Sequence, residues 1–246
     1  MVLSALMVDT GDDPDRPRPG RLWLQNQYRV HQRLCMAFPS AGRQAEDAEF
    51  LQPYETASFG GRNVHTERSA DAGFLYRVDP GSQGRTMVLV QSATEPDWDY
   101  AFRNAGHLLA APPSVRRVHI TPAAGERLRF RLLANATRKV DTKTGPDGVR
   151  RHGTRVPVPT EGVLPWLAGR MARRGITVEP GSVTSTVKYV YWNREAGSGG
   201  QRLFGVLYDG ILSVEDPVAA VAAVQGGIGS AKGFGFGLLS VAPLRE

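Results

Sequence analysis

The sequence predicts an α+β protein in which one order of elements, β-α-β-β-α-β, occurs twice. Short stretches of alternating apolar and polar residues, typical of half-buried strands, are interleaved with stretches of helical periodicity. The Pro-containing segment Ala110–Ser114 is the best linker in the chain, and the same order of elements recurs after it. Two tandem ferredoxin-like (RRM-like) domains are the simplest arrangement that fits this recurrence. A single mixed α+β domain is the alternative.

The first half contains a long amphipathic helix, from about Leu22 to Phe38, which ends at Pro39. Val30, Leu34 and Phe38 share one apolar arc of this helix. Residues 40–72 are polar and irregular in pattern, which predicts a surface insertion. The other predicted elements are strands over 2–9, 73–78 and 85–92, a short helix over 98–104 and a weak strand over 107–110.

The second half begins with a strand over 126–134, whose arginines alternate with apolar residues, and continues with a basic excursion over 137–157. The remaining predicted elements are a helix over 161–174, strands over 183–192 and 202–214 (the latter broken at Asp209-Gly210), a helix over 216–225 starting at Pro217, a glycine-rich loop over 226–237 and a last strand to Val241. The predicted domains are therefore residues 1–110 and 126–246, joined by a linker over 111–125.

Composition excludes several classes of protein. No run of eighteen apolar residues occurs, so we expect no membrane span. The apolar N-terminus lacks a basic region and reaches Asp9 early, and we interpret it as a strand rather than a signal peptide. The only cysteine, Cys35, excludes an intrachain disulfide and a thiolate zinc cluster. A cytoplasmic protein is expected.

Positive charge is concentrated in one segment. Between Arg116 and Arg155 the chain has eleven Lys and Arg against three acids, whereas the rest has 19 bases and 21 acids. The segment is rich in arginine, whose guanidinium matches phosphate geometry. This distribution is typical of a protein that holds a polyanion on one face.

Tyr28 and His31 lie three residues apart on the first predicted helix, so their side chains share one face at the edge of the apolar arc. A histidine has a pKa near neutrality and could act as an acid or a base on a ribose hydroxyl, with the tyrosine assisting. Alternatively, both side chains pack at the rim of the core, and the spacing alone favours that interpretation.

The C-terminal run from Gln225 to Leu244 is glycine-rich and contains the alternation Gly233-Phe-Gly-Phe-Gly237. It is not a Walker loop, because Lys232 is not followed by Ser or Thr, and too little chain follows for a Rossmann unit. Glycines at this density allow close backbone approach and can present N–H groups to anions.

The sequence contains no motif typical of a metal-dependent enzyme or of a serine hydrolase. His65, His107, His119 and His152 have no metal-site spacing, and Gly-x-Ser-x-Gly is absent. The acids at 46, 47 and 49 fit a solvated helix face better than a ligand set. A two-metal nuclease is therefore disfavoured, and we expect neither a metal nor a cofactor.

Four stretches together resemble the CasE family, the repeat-processing ribonucleases of type I-E CRISPR systems. They are Gln27-Tyr-Arg-Val-His-Gln-Arg-Leu-Cys-Met-Ala-Phe-Pro39, Val88-Leu-Val-Gln-Ser-Ala-Thr-Glu-Pro-Asp-Trp98, Leu128-Arg-Phe-Arg-Leu-Leu-Ala-Asn135 and the glycine-rich terminus ending Gly237-Leu-Leu-Ser-Val-Ala-Pro-Leu244. They keep the family's order and span nearly the whole chain, and the terminal motif is the most specific.

The resemblance implies two ferredoxin-like domains, metal-independent cleavage of a CRISPR repeat RNA at the base of its hairpin, and retention of the product within the Cascade complex. His31 matches the family's catalytic histidine, and Tyr28 matches the tyrosine that assists it in some members. Where members have a lysine and a serine later on this helix, the chain has Met36 and Pro39. The cation that stabilises the transition state therefore stays open among Arg33, Lys188 and Arg194.

We expect RNA to be bound mainly through its phosphates, with a chain that is monomeric when free and has the other Cascade subunits as partners. A non-catalytic RNA-binding subunit on the same fold is the alternative. The predicted RNA-binding residues are Arg127, Arg129, Arg131, Arg138, Lys139, Arg150, Arg151, Arg155, Gly229, Lys232, Gly233 and Gly235.

Overall fold

A computed structural model describes residues 1–13, 15–39, 73–140, 146, 148, 153–194 and 199–244 of the chain. These residues form two compact units. The first contains Met1–His119, Tyr191–Gln201 and Gly233–Gly235, and the second contains Ile120–Val190, Arg202–Lys232 and Phe236–Glu246. The insertion predicted over 40–72 lies outside the described residues. In the described part of the chain, no helix is long and apolar enough to cross a membrane.

The first unit is built on a four-stranded antiparallel sheet in the order β2-β3-β1-β4. Its strands are β1 (Val2–Asp9), β2 (Phe74–Pro80), β3 (Arg85–Ser92) and β4 (Ser114–Arg117), and its helices are α1 (Pro19–Leu24), α2 (Gln27–Cys35) and α3 (Trp98–Phe102). This strand order is the one a ferredoxin-like β-α-β-β-α-β unit gives.

The core of the first unit follows from the two periodicities of its sequence. In β1, alternate residues are buried, and Leu6 and Val8 are fully inaccessible. Val30 and Leu34, one helical turn apart on α2, are fully inaccessible too. Burial of these apolar side chains packs α2 onto the sheet and fixes which face of the helix stays open.

Three predictions for the first half are wrong. The helix predicted over 22–38 is two helices, because the Asn26 side chain accepts a hydrogen bond from the Tyr28 N–H and starts a new helix there. The strand predicted over 107–110 is a 3-10 turn, Gly106–Leu108, followed by a single bridge from Leu109 to Val8. The fourth strand, β4, lies within the predicted linker, where it pairs with β1.

The second unit repeats the same topology in a sheet of order β11-β5-β10-β8, with β9 pairing to β10 and a separate β6-β7 hairpin. The elements are β5 (Arg127–Ala134), β6 (Thr137–Val140), β7 (Thr154–Pro157), α4 (Val163–Ala172), β8 (Ile176–Val178), β9 (Thr184–Trp192), β10 (Gln201–Val214), α5 (Pro217–Gly226) and β11 (Leu239–Pro243). The prediction of tandem ferredoxin-like domains is confirmed.

Local details of the second half are mixed. As predicted, α5 starts with Pro217 in its first turn, and Asp216 accepts hydrogen bonds from two N–H groups of that turn. The predicted break at Asp209-Gly210 is wrong: β10 runs through both residues, which lie opposite Arg131 and Phe130 of β5. Strand β8 was not expected, because Ile176–Val178 is too short to show a period.

Candidate active site

The N-terminus of α2 is fixed by Asn26, which is hydrogen-bonded on both sides. Its Oδ1 accepts from the Tyr28 N–H and from the Asn193 N–H, each at 3.1 Å. Its Nδ2 donates to the Asn193 carbonyl at 2.9 Å. One side chain therefore caps the helix that carries Tyr28 and His31 and attaches the segment Tyr191–Gln201 of the same unit.

His31 is half-buried on α2, at the edge of the buried face. Its ring stacks on Phe74 with centroids 5.4 Å apart, and the Tyr76 ring lies 6.4 Å away at 24°. Its Nε2 lies 3.5 Å from the Cys35 Sγ one turn further along the helix. The imidazole is thus held against a fixed aromatic wall and oriented by a weak hydrogen-bonding group, which suits an acid/base residue.

Tyr76, on β2, is fully buried next to His31 and connects α2 with the glycine-rich terminus. Its hydroxyl lies 3.1 Å from the Gln27 carbonyl and 3.2 Å from the Gly233 carbonyl, to which it donates. Burial raises the pKa of Tyr76 well above its ordinary value, and a nearby Cys35 charge raises it further. The hydroxyl therefore remains a donor.

The C-terminal segment passes close to His31 and Tyr76, and glycine is required there at Gly235. A Cβ on Gly233 would lie 3.7 Å from His31 Cε1, so this backbone runs alongside the imidazole. Gly235 has a φ of +82°, and a Cβ there would come within 3.2 Å of the Tyr76 ring and 3.3 Å of the Gln27 Oε1. A side chain at Gly235 would thus be strained and crowded.

A row of three aromatic rings connects the start of α2 with the segment Tyr191–Gln201 and with the glycine-rich terminus. The Trp192 ring lies 6.4 Å from Tyr28 and 4.9 Å from Phe234, tilted to both. All three side chains are half-buried. Arg194 follows Asn193 directly and is exposed, so the bonds to Asn26 hold an arginine near the N-terminus of α2.

The other two candidate cations have different surroundings. Arg33 donates from Nη1 to the Ala101 carbonyl at 2.9 Å and to the Asn104 Oδ1 at 3.0 Å. Burial lowers its pKa. Two positions from His31, Arg33 lies on another side of α2, and these contacts tie that side to α3 and the turn after it. Lys188 is exposed on β9 in the second unit.

On β5 of the second unit, the predicted RNA-binding arginines share one exposed face. Arg127 forms a two-pronged ion pair with Glu179 at 2.6 and 2.9 Å, and its hydrogen bond raises the pKa of Arg127 and lowers the pKa of Glu179. Arg131 pairs with Asp209 at 2.6 Å. Arg129 lies exposed between them and has no ion pair with a described carboxylate.

The remaining predicted contacts are divided between the hairpin and the glycine loop. Arg138 and Lys139 on β6, and Arg155 on β7, are exposed. Gly229, at a φ of +89°, passes the Trp166 ring. Lys232 donates to the Gly226 carbonyl, which closes the loop on itself. Arg150 and Arg151 lie outside the described residues.

Sequence reasoning missed Asn26, Tyr76, Trp192 and Asn193. The signal for Asn26 was present, because an asparagine directly before an apolar-periodic stretch is a helix-cap pattern. Tyr76 looked like one more strand aromatic. Across residues 1–13, 15–39 and 73–140 and the later described ranges, no three His, Cys, Asp or Glu are grouped as metal ligands would be.

Known proteins resemble this chain over most of its length. A family model described as CRISPR associated protein matches residues 1–243. The CRISPR-associated endoribonuclease Cse3 of Thermus thermophilus is 32% identical over 179 residues, which cover 69% of this chain and 79% of that protein. The Cascade subunit CasE of Escherichia coli K12 is 26% identical over 230 residues, covering 91% and 96%.

A solved structure of Thermus thermophilus Cse3, bound to an RNA representing a pre-cleavage complex, superposes with a TM-score of 0.68. It is 27% identical and covers 98% of both chains. The fold and the histidine-bearing helix thus define a two-domain ferredoxin-like protein of the CRISPR-associated class. The chain belongs to the CRISPR associated protein family, among its CasE-type members of type I-E systems, and the resemblance seen in the sequence is confirmed.

Proposed function

We propose that this chain is the CRISPR repeat endoribonuclease of a type I-E system. It cuts precursor RNA at the base of the repeat hairpin and keeps the product within Cascade. The relatives carry this activity in their names, as CRISPR-associated endoribonuclease and Cascade subunit, and Thermus thermophilus Cse3 has been solved with RNA. The site described above supports transfer of the activity to this chain.

One observation carries the proposal. His31 and the Gly233–Gly235 segment, about two hundred residues apart in sequence, lie side by side in one unit. Tyr76 fixes both, through the stacking of its ring and the bond of its hydroxyl to the Gly233 carbonyl. These are the helix motif and the terminal motif on which the family resemblance rests.

The mechanism we propose is transesterification within the RNA. The ribose 2′-oxygen forms a bond to the adjacent phosphorus and loses its proton, while the bond from phosphorus to the 5′-oxygen breaks and that oxygen gains a proton. The products are a 2′,3′-cyclic phosphate and a 5′-hydroxyl. His31 serves as the proton carrier and Tyr28 orients or assists it. No step requires a metal ion, because the RNA supplies its own attacking oxygen.

A cation is needed to offset negative charge on the phosphorane. Among the three candidates we favour Arg194, since it is exposed and follows the residue that Asn26 holds. Arg33 is less suited because its guanidinium is directed to Ala101 and Asn104. Repeat RNA and the other Cascade subunits are the partners; a cytoplasmic location and a monomeric free chain remain predictions.

The experiment is cleavage of a repeat hairpin with a single deoxyribose on the 5′ side of the scissile phosphate, in EDTA and in Mg²⁺. The deoxy hairpin should bind as the all-ribose hairpin does and resist cleavage in both buffers. The all-ribose product should be one water lighter than a linear phosphate by mass spectrometry. Efficient cutting of the deoxy hairpin, or activity only with Mg²⁺, would refute the mechanism. Binding without any cleavage of the all-ribose hairpin would indicate a non-catalytic RNA-binding subunit.

A further inference from the structure

Four arginines of the second unit lie close enough together for the charges of three of them to act on the fourth, Arg170. They are Arg155 on β7, Arg170 near the end of α4, and Arg173 and Arg174 directly after that helix. We call these four residues the helix-end cluster. Only Arg155 belongs to the basic segment of the sequence; the other three are contributed by a helix whose apolar face packs into the core through Leu167 and Met171.

The hairpin and the helix that carry the cluster are tied together through Thr137. The Trp166 Nε1 donates to the Thr137 carbonyl at 3.1 Å, and the Arg155 Nη1 donates to the Thr137 Oγ1 at 3.4 Å. The Arg170 guanidinium lies over the Trp166 ring, 5.3 Å from its centroid. These contacts position Arg155 and Arg170, and Arg173 and Arg174 directly follow the helix that carries Arg170.

The cluster differs from the arginines of β5 in how its charge is balanced. Arg127 and Arg131 each have a carboxylate partner, whereas no residue of the cluster forms an ion pair with a carboxylate of the described residues. Burial lowers the pKa of Arg170, and the positive charges of Arg173, Arg155 and Arg174 lower it further. Four like charges are therefore held near one another without a described counter-charge.

Helix polarity does not account for this arrangement. A cation in the last turn of a helix is favourable because the helix dipole places partial negative charge there. A second and third cation at the same end, with a fourth from another element, add mutual repulsion, which increases as charges approach. A polyanion placed across the cluster would remove that repulsion.

We propose that the helix-end cluster is a phosphate-binding site for the backbone of the RNA, and that α4 extends the RNA-binding surface of the β6-β7 hairpin beyond the basic segment. Arg138 and Lys139 are exposed on the same hairpin as Arg155. Arginine is suited to this role because its planar guanidinium can donate two parallel hydrogen bonds to a phosphate. The inference rests on the proposed function, since it takes RNA as the polyanion.

The test compares three variants of the full chain for binding of the repeat hairpin and of an unrelated duplex RNA, over a series of salt concentrations. The triple variant Arg170→Gln/Arg173→Gln/Arg174→Gln removes the helix-borne charges. The triple variant with lysine at the same positions keeps them. Arg21→Gln/Arg85→Gln/Arg103→Gln removes the same net charge from the first unit and serves as the matched control.

The glutamine variant lacks three phosphate-binding cations. The plot of log affinity against log salt concentration should therefore be less steep, with a slope smaller in magnitude by about two to three units. The lysine variant should keep most of the slope, and the control should change it by less than one unit. Circular dichroism and thermal unfolding verify that each variant is folded.

An unchanged slope in a folded glutamine variant would overturn the inference. Loss of assembly with the other Cascade subunits, at unchanged RNA affinity, would overturn it too and assign the cluster to a protein interface. If the wild-type chain fails to bind the repeat hairpin, the proposed function is refuted instead. Binding of the unrelated duplex RNA then tests the cluster independently, since phosphate contacts do not depend on sequence. A weaker salt dependence of duplex binding in the glutamine variant supports the phosphate site, and an unchanged salt dependence overturns it.

Discussion

The two units share a topology and present different surfaces. In both, the sheet has the same ferredoxin-like strand order, and a helix after the first strand packs on it. The first unit places a half-buried histidine on that helix, with aromatic rings and a glycine backbone around it. The second unit places arginines on the corresponding helix and on an inserted hairpin. We therefore expect proton transfer to depend on the first unit and phosphate binding mainly on the second.

The strongest way to break this comparison is to replace His31. In His31→Ala, cleavage of the repeat hairpin should fall by about 10²- to 10⁴-fold, the usual contribution of a general acid or base. Hairpin affinity, measured by filter binding, should stay at the wild-type value. Tyr28→Phe, which keeps the ring against Trp192, should lose less activity. Cleavage by His31→Ala at the wild-type rate would show that His31 only packs at the rim of the core.

Tyr76→Phe tests whether the buried hydroxyl holds the site together. Removal of the donor leaves the carbonyls of Gln27 and Gly233 without it and should lower the free energy of unfolding by about 1–3 kcal/mol. The measurement is urea unfolding at neutral pH.

The same variant has a pH signature. The folded pKa of Tyr76 lies well above the unfolded value of about 10, so the unfolded state loses this proton first as pH rises. The stability that the proton contributes is complete below about pH 10 and is lost as pH rises above it. Wild type should therefore lose stability between about pH 10 and 11 more steeply than Tyr76→Phe. Equal slopes in the two proteins would contradict the assignment.

Asn26→Ala should show that the N-terminus of α2 and the segment Tyr191–Gln201 are joined by one side chain. Loss of a helix cap costs about 0.5–2 kcal/mol, and here the two bonds to Asn193 are removed as well. Thermal unfolding measures the cost. Asn26→Asp keeps the oxygen that accepts from Tyr28 and Asn193, so it should recover most of the stability. No recovery would mean that the Nδ2 bond dominates.

The smallest effects separate arginines within β5. Arg129→Gln should reduce the salt slope of hairpin binding by about one unit, as for one phosphate contact. Arg131→Gln should reduce it by less, because Asp209 already offsets the charge of Arg131. Parallel salt titrations of the two variants make the comparison. A larger reduction of the salt slope in Arg131→Gln would show that Arg131 leaves Asp209 and contacts a phosphate when RNA binds.

The prediction of a repeated β-α-β-β-α-β order rested on periodicity, and it survived errors in individual elements. Strand β1 could be predicted because burial of alternate residues gives its sequence a period of two. The fourth strand of the first unit was missed, because all of Ser114–Arg117 is exposed and such a strand shows no alternation. Its place beside β1 depends on tertiary pairing.

The sequence by itself determined the fold class, the concentration of charge between Arg116 and Arg155, and His31 as the residue to examine, the last through a family resemblance rather than spacing. Each is a property of residue type and order along the chain. Only the tertiary structure decided what surrounds that histidine. Tyr76 and Gly233 reach it from two distant segments, and no local pattern encodes such an encounter. The same holds for the helix-end cluster, since the like charges of α4 and β7 meet only when packing brings the two elements together.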